Sequence, residues 1–595
     1  MLEHAPTFTS TDAEAIARER YACHGAARTL TSERDQNFLI DDDAGGLVLK
    51  IANALEERPL LEAQQHVLAF LGQREVPTPR VICTANGDSL AEVSDSSGRR
   101  HFVWAVSRLP GKVLADVRHR SSPLLEDLGA TIGRLDVALA SVEHPALHRE
   151  FHWDLARAPE RIRAARSAWS AGTLGEAVDV ALADFERHVL PRGIALRRSV
   201  IHNDLNDHNI LVADDRISGI VDFGDMLYGW RVADLSIAAA YAMLDAPDPL
   251  QVLASLVRGA HRECALDDVE LDVIYALAKL RLALSAAIAI HQQQSRPENS
   301  YLGVSQEAIR RTLPRLTAVP YDLATAVIRD AAGREPIPRS ARVRDWLATH
   351  ALECAPVLGI DLRAEPSVVL DLSVGSPLVS GDPDENTVLP LTARIEQVMR
   401  EAGVRIAVGR YDEPRLLYTA PFFGGATAAS ERRTIHIGLD LFAEAGTGVF
   451  APLDGTVEAF ANNAVPQDYG PVVILRHATG TGDAFFTLYG HLSRASLAGL
   501  HVGQRIERGQ RFAWLGTPDE NVGWTPHLHL QIITDLLGVG TDFPGVAPAS
   551  QRAVWRNLSP DPNLLVGVPE ERFPQARPDS GTRIAVRRRP TVPSP

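Results

Sequence analysis

Cysteine is scarce in this 595-residue chain: only Cys23, Cys83, Cys264 and Cys354 occur, far apart and without a C-x-x-C pair. That excludes a disulfide framework or a cysteine zinc site as the organising device, and a reducing compartment is the expected home. A basic excess is also missing. The net charge of -15 argues against nucleic acid or an anionic membrane as a partner, because both attract clustered cations. The one basic cluster, Arg587-Arg588-Arg589, falls in a Pro-rich tail. No apolar run approaches the roughly 20 residues that span a bilayer, and the opening Met1-Leu-Glu-His-Ala-Pro-Thr lacks the basic and apolar segments of an export signal. A cytoplasmic location is expected.

What is present is enough chain for two to four domains, with the ordinary apolar content of a globular protein. Thr9, Ser10 and Thr11 are candidate caps for a first helix. Ala27-Arg-Thr-Leu-Thr, Asn37-Phe-Leu-Ile and Gly46-Leu-Val-Leu-Lys-Ile, separated by polar turns, then predict a small antiparallel sheet with Lys50 near the end of its third strand. Pro59 fits the first turn of a following helix that carries Glu62, placed to pair with Lys50 and hold its amine against nucleotide phosphates. His101 to Gly111 reads as a strand and hinge leading out of this lobe. Leu124 to Leu139, Leu155 to Ala171, Leu235 to Met243 and Ile274 to Ile290 have helical periodicity, predicting a mainly helical second lobe.

Between those helices stands Val200-Ile-His-Asn-Asp-Leu-Asn-Asp-His-Asn-Ile-Leu-Val, followed by Ile217-Ser-Gly-Ile-Val-Asp-Phe-Gly-Asp. Phosphoryl transfer needs a carboxylate at the acceptor hydroxyl and ligands for the metal that neutralises phosphate charge. Asp204 suits the first role, Asn209 and Asp222 the second. Asp/Asn-rich turns satisfy their own backbone in many proteins; the ordered combination of strand lysine, His-x-Asp loop and Asp-Phe-Gly outweighs that plainer account.

From about residue 10 to 330 the chain resembles the aminoglycoside phosphotransferase and choline kinase superfamily, with Asn203 a mild departure where a glycine or small polar residue is usual. Ser32-Glu-Arg-Asp-Gln-Asn-Phe resembles the nucleotide-covering segment of its hydroxylysine kinase branch. The resemblance implies Asp204 as catalytic base, Asn209 and Asp222 as magnesium ligands, Lys50 on the phosphates of ATP or GTP, and a small amino alcohol or hydroxy amino acid as acceptor. Trp153, Asp154, Tyr228, Trp230 and Arg281 lie where an acceptor pocket would be, but a packed Trp or an ion-paired Arg is the commoner role for such residues.

Further on, the lettering changes to short strands broken by glycine, predicting an all-β domain. His527 and His529, two apart on a strand, face one side. His436 and Asp440 are again an even number of residues apart, and Tyr489-Gly-His491 adds another imidazole. Two histidines and a carboxylate make a zinc set with room for water, and further histidines serve the oxyanion or move protons.

Leu416 to Ile533 resembles the lysostaphin and LytM type of zinc endopeptidase, through His436-Ile-Gly-Leu-Asp440, Ala451-Pro-Leu-Asp-Gly-Thr-Val, Tyr489-Gly-His491 and Thr525-Pro-His-Leu-His529. By that resemblance His436, Asp440 and His529 bind zinc, with His491 and His527 catalytic. The fold class expected is therefore multidomain α+β: a bilobal protein-kinase-like fold over 1-330, a linker or bridging segment over 331-410 that bridges the lobes or packs on the next domain, a lysostaphin-like all-β domain over 411-565, and a disordered tail over 566-595. The order of parts resembles the front of trifunctional proteins that continue into a class III pyridoxal-phosphate aminotransferase, so an enzyme of that type is a further expected partner. The leading function is a bifunctional enzyme that phosphorylates a small alcohol and hydrolyses a peptide or amide. The alternatives are a kinase with a non-catalytic zinc-binding module and an aminoglycoside-inactivating phosphotransferase.

Overall fold

A capping box opens the first helix. Thr9 Oγ1 accepts from Asp12 N at 3.2 Å and Asp12 Oδ2 accepts from Thr9 N at 2.8 Å, so the helix Ser10–Tyr21 starts where the sequence predicts. The structure, a computed structural model, describes residues 5–574 apart from 31, 33–34, 43–44, 167–171, 296–304 and 426–429. It divides into two units, Met1–Pro336 and Ile337–Pro595.

The first unit begins with a six-stranded antiparallel sheet built from β1 (Ala26–Leu30), β2 (Gln36–Asp41), β3 (Leu47–Ile51), β4 (Val81–Ile82), β5 (Ala91–Ser94) and β6 (Arg100–Ser107). The order is β1-β2-β3-β6-β4, with β5 also on β6. Phe38, Ile40, Leu49, Ile51, Val103 and Ala105 from alternate positions pack with Ala13 and Ala17 of the first helix. Alternation therefore sends Lys50 to the other face, where it pairs in register with Trp104.

Past the hinge, β7 (Lys112–Val113), β8 (Arg198–Ile201), β9 (Ile210–Ala213), β10 (Arg216–Ile220) and β11 (Leu227–Trp230) form two small sheets within the helical lobe. Helices Ser122–Leu139 and Pro249–Glu263 cross at glycines. A Cβ on Gly129 would lie 2.0 Å from Leu256 O, and one on Gly259 2.0 Å from Glu126 O, so only hydrogen fits at either position. The helix expected over Leu155 to Ala171 is broken: Asp154 caps a short turn at Leu155–Arg157, the helix proper is Ala158–Ala165, and 167–171 lie outside the described residues. Val232–Ala242 and Ile274–Ser295 complete the floor under the β8–β9 loop. A kinase-like fold of sheet lobe and helical lobe is thus what these residues build.

The second unit is organised by an eight-stranded sheet. The strands of the whole unit are β12 (Val368–Leu370), β13 (Ala407–Gly409), β14 (Glu413–Pro414), β15 (Arg433–His436), β16 (Leu439–Phe442), β17 (Gly448–Phe450), β18 (Gly455–Asn463), β19 (Gly470–Ala478), β20 (Ala484–Gly490), β21 (Arg505–Ile506), β22 (Arg511–Trp514), β23 (His527–Ile533) and β24 (Val546–Pro548). The main sheet runs β12-β13-β16-β23-β20-β19-β18-β21, and β14-β15-β24 and β17-β22 are separate small sheets. Among the described residues, only β12 and β13 in the main sheet pair in parallel.

Of the stretch 331–410, expected to be a linker or to pack on the next domain, the part beyond residue 336 is no linker but belongs to the second unit. It supplies helices Pro338–His350 and Val388–Ala402, two strands of the main sheet, and Val357, Leu358 and Leu362 to its core. A helix over Leu391 to Ala402 is legible in its spacing, but the apolar residues outside the helices come in groups of two or three between turns and find partners only in the folded sheet. The expected tail is corrected for the same reason: Val566 and Val568 are buried in that core, and Glu570–Arg572 forms a helical turn. Residues 575–595, with the basic cluster, lie outside the described residues.

Candidate active sites

The loop between β8 and β9 is held from beneath. Asp234, fully buried on the helix Val232–Ala242, accepts from His202 N at 2.8 Å and Asn203 N at 2.7 Å. Those bonds fix a backbone in which Asn203 has φ +65, a left-handed conformation that asparagine tolerates better than most residues. This accounts for asparagine where a glycine or small polar residue was the expectation. The His202 ring is buried, and burial pushes it down to about 4, so it is neutral. Its Nε2 donates to Val221 O at 3.0 Å, which leaves Nδ1 to accept from Asp204 N at 3.2 Å.

Asp204 is thereby fixed at its backbone and also at its carboxylate. Oδ2 accepts from Asn206 Nδ2 at 3.0 Å and Asn209 Nδ2 at 2.8 Å, while Oδ1 accepts from Arg281 Nη2 at 2.6 Å. Burial pushes the Asp204 carboxyl up to about 7, with Arg281 opposing the rise and Asp225 adding to it. Asn209 spends its amide nitrogen on Asp204, both on the side chain and on the backbone oxygen at 2.9 Å, which leaves its side-chain oxygen as the group able to accept or ligate. Asp222, at φ +63 just past β10, meets Lys50 Nζ at 3.1 Å. Arg149 ties down the segment after it, donating to Gly224 O at 2.7 Å and Met226 O at 3.0 Å.

Glu62 stands elsewhere. On the helix Arg58–Leu71 the core face is taken by Leu61, Gln64, Gln65 and Leu68, and the helical period turns Glu62 outward. It pairs with Arg58 at 3.1 Å with half of its side chain exposed. The expected Lys50–Glu62 pair is corrected accordingly. Of the nucleotide-covering segment, residues 33–34 lie outside the described residues.

In the second unit, β16 pairs with β23 so that Asp440 faces His529 in register, and β15 brings in His436 from the adjacent small sheet. His436 Nε2, His529 Nδ1 and Asp440 Oδ1 lie 3.0–3.2 Å from one another and could hold one metal ion. His436 Nδ1 donates to Arg410 O at 2.9 Å, so Nε2 carries a lone pair. One proton at most, on His529 Nδ1, then stands among three acceptors; a shared cation satisfies all of them. Gly438 lies between the ligands because a Cβ there would meet the His529 ring at 2.4 Å.

Burial alone would raise Asp440, but His436, Arg415 and His527 together hold it well below the usual carboxylate range. Arg415 Nη1 donates to Asp440 Oδ2 at 2.6 Å, turning Oδ1 toward the histidines, and Arg415 is itself held by buried Glu413 at 2.7 Å. Burial lowers His436 to about 4 and keeps His491 and His527 neutral as well. His527 Nδ1 donates to Thr525 O at 2.6 Å, and its ring lies 4.4 Å from that of His491. His491 takes φ +63, with its backbone N–H on Tyr469 O at 2.8 Å, and its Nδ1 is buried without a partner. All five groups line a cavity of about 250 Å³ walled by Tyr418, Phe422, Phe423, Tyr469 and Trp524.

Asp234 and Arg415 were missed as site residues, and Arg281 and Trp153, considered for an acceptor pocket and set aside, stand instead behind Asp204. Arg281 carried one usable clue, a guanidinium amid the apolar run Leu280 to Ile290. Arg415 and Asp234 sit in unremarkable lettering.

Residues 27–271 match the model of the Phosphotransferase enzyme family, and residues 434–539 match Peptidase family M23. Hydroxylysine kinase of Mus musculus is 32% identical over 340 residues, which cover 52% of this chain and 90% of that protein. An uncharacterized metalloprotease of Haemophilus influenzae is 38% identical over 96 residues, 16% of this chain and 18% of that protein. Among solved structures, the amicoumacin kinase hAmiN aligns with a TM-score of 0.41 at 17% identity, covering 52% of this chain and 94% of that one.

Proposed function

Because the chain belongs to the phosphotransferase enzyme family through residues 27–271, and residues 434–539 match the model of peptidase family M23, we propose that it is a bifunctional enzyme. It phosphorylates the hydroxyl of a small amino alcohol or hydroxy amino acid, and it hydrolyses a peptide or amide bond with zinc. The observation that carries this reading is that each unit gathers a complete set of reacting groups within itself: Lys50, Asp204, Asn209 and Asp222 in one, and His436, Asp440, His491, His527 and His529 in the other.

In the first, Asp204 takes the proton of the acceptor hydroxyl as that oxygen attacks the terminal phosphorus of ATP or GTP. A carboxyl lifted toward neutrality by burial is a better proton acceptor than an ordinary one. Lys50 exchanges Asp222 for the phosphates when nucleotide binds. Asn209 and Asp222 would hold magnesium, which neutralises phosphate charge. The amine-bearing acceptor class follows the hydroxylysine kinase relatives.

In the second, His436, Asp440 and His529 would hold zinc, which polarises the scissile carbonyl and lowers the pKa of water to about 7. Neutral His491, with one ring nitrogen unspent, accepts or returns the proton moved during hydrolysis. His527, fixed by Thr525, presents Nε2 beside it. The aromatic wall gives the cavity an apolar side next to these groups. A cytoplasmic location belongs to this proposal, since phosphoryl transfer draws on intracellular nucleotide; the hydrolysed bond is then that of an intracellular peptide or amide-linked small molecule.

The test is a transfer screen of amino alcohols, hydroxy amino acids and aminoglycosides with ATP and GTP, alongside metal analysis of the same protein. Phosphorylation confined to the first two classes, with about one zinc per chain, is the expected result. Aminoglycosides as the preferred acceptors, or a chain without zinc, would overturn the respective half.

A further inference from the structure

Arg281 occupies the middle of the apolar helix Ile274–Ser295 and is 1% exposed. A guanidinium in such a place is costly unless its charge is matched, so its partner identifies what it is for. Nη2 reaches Asp204 Oδ1 at 2.6 Å, Nη1 lies 3.5 Å from Asn203 O, and Nε is buried with no hydrogen-bond partner. The guanidinium carbon stands 4.2 Å from the centre of the Trp153 ring and 5.7 Å from that of Tyr241, which fixes its plane. Burial leaves it no surface on which to meet substrate.

The lone pairs of Asp204 can be counted. Each carboxylate oxygen has about two. Oδ2 spends both, on Asn206 and Asn209, whereas Oδ1 spends one, on Arg281. One lone pair is left for the reaction, and Arg281 determines which way it points.

We propose that Arg281 is a positioning residue for phosphoryl transfer, locking Asp204 so that the remaining lone pair of Oδ1 receives the acceptor's proton. The inference rests on the kinase reading. In the step it orients, the acceptor O–H bond breaks and its proton passes to Oδ1. The freed oxygen forms the new bond to the terminal phosphorus, and the bond from that phosphorus to the bridging oxygen breaks, releasing nucleoside diphosphate. Without the guanidinium the carboxylate keeps its Asn206 and Asn209 bonds but swings about them.

The experiment uses the full chain as wild type, Arg281→Ala and Arg281→Lys, with the best acceptor from the screen. Because misplacement by about 1 Å costs about 10²-fold, kcat of Arg281→Ala is expected to fall by about that factor while the KM for nucleotide stays unchanged. Millimolar guanidinium, entering the vacated space, restores part of the loss in Arg281→Ala and nothing in wild type. Arg281→Lys, which offers a point charge but no fork, falls between them. Unchanged kcat in Arg281→Ala would overturn the inference, as would a loss that guanidinium leaves untouched and that raises nucleotide KM in parallel. Should Arg281→Ala fail to fold, Arg281→Lys decides: lowered kcat at constant nucleotide KM supports the proposal, and wild-type kcat contradicts it. A wild-type chain that phosphorylates no alcohol would overturn the kinase reading itself, a result distinct from either.

Discussion

Asp204 in the first unit and Asp440 in the second each meet a buried arginine at 2.6 Å, and the two carboxyls go opposite ways. Burial pushes Asp204 up to about 7, with Asp225 and Asp222 adding to the push. Asp440 is the more buried of the two, yet His436 and His527 join Arg415 to hold it well below the usual range. The guanidinium contact is the same in both; the groups around the pair are not. A carboxylate among other carboxylates is poised to accept a proton, and one among imidazoles is kept anionic and suited to a cation. The fold supplies the same brace twice and lets the neighbouring residues decide its chemistry.

The comparison can be broken most forcefully at His491. If it moves protons without holding the metal, His491→Ala lowers hydrolysis by about 10²–10⁴-fold while metal analysis still finds zinc. Loss of zinc along with activity would make it a ligand instead. Next comes Arg415. Arg415→Met should weaken zinc affinity by about 10–100-fold, read by chelator competition, because Asp440 loses the partner that turns Oδ1 toward the histidines. Affinity equal to wild type would mean that the arginine brace matters in the first unit alone.

A milder test uses pH on metal-free protein. Asp204 and Asp234, pushed by burial up to about 7, bind protons more tightly folded than unfolded. Their stabilisation is full below the ordinary carboxyl value of 3.8 and is lost as pH rises through 7, with His202, pushed down to about 4, offsetting part of it. His436 and His477, both pushed down to about 4 by burial, have the reverse sign: their contribution is present above 6.5 and lost as pH falls toward 4. Calorimetry between pH 4 and 7 should therefore show the first unit's transition falling and the second's rising as pH increases. Parallel movement would contradict the assignment. The smallest effect is expected at Glu62, where Glu62→Ala should change nucleotide KM by less than about 2-fold, as for an exposed surface pair.

Much of this was legible in the lettering. His202 to Asn209, Asp222 and the histidines of the second unit could be read because each chemistry needs particular residue types at fixed spacing along one loop or one strand. Glu62 misled because sequence order places it on the right helix while its phase on that helix was not weighed against Leu61, Gln64, Gln65 and Leu68. The pairings of Arg281 with Asp204 and of Arg415 with Asp440 were illegible because the partners lie 77 and 25 residues away and only the folded chain brings them together. Val357, Leu358 and Leu370 escaped for a related reason: they are core residues only once the main sheet exists to receive them.

The central claim is that two independent activities reside in one chain. It is tested most directly by measuring phosphoryl transfer and amide hydrolysis side by side in wild type, Asp204→Asn and His436→Ala. The account predicts that Asp204→Asn abolishes transfer and leaves hydrolysis and zinc content at wild-type levels, and that His436→Ala does the converse. Joint loss of both activities in either folded variant, or hydrolysis that survives removal of zinc and His436, would contradict it.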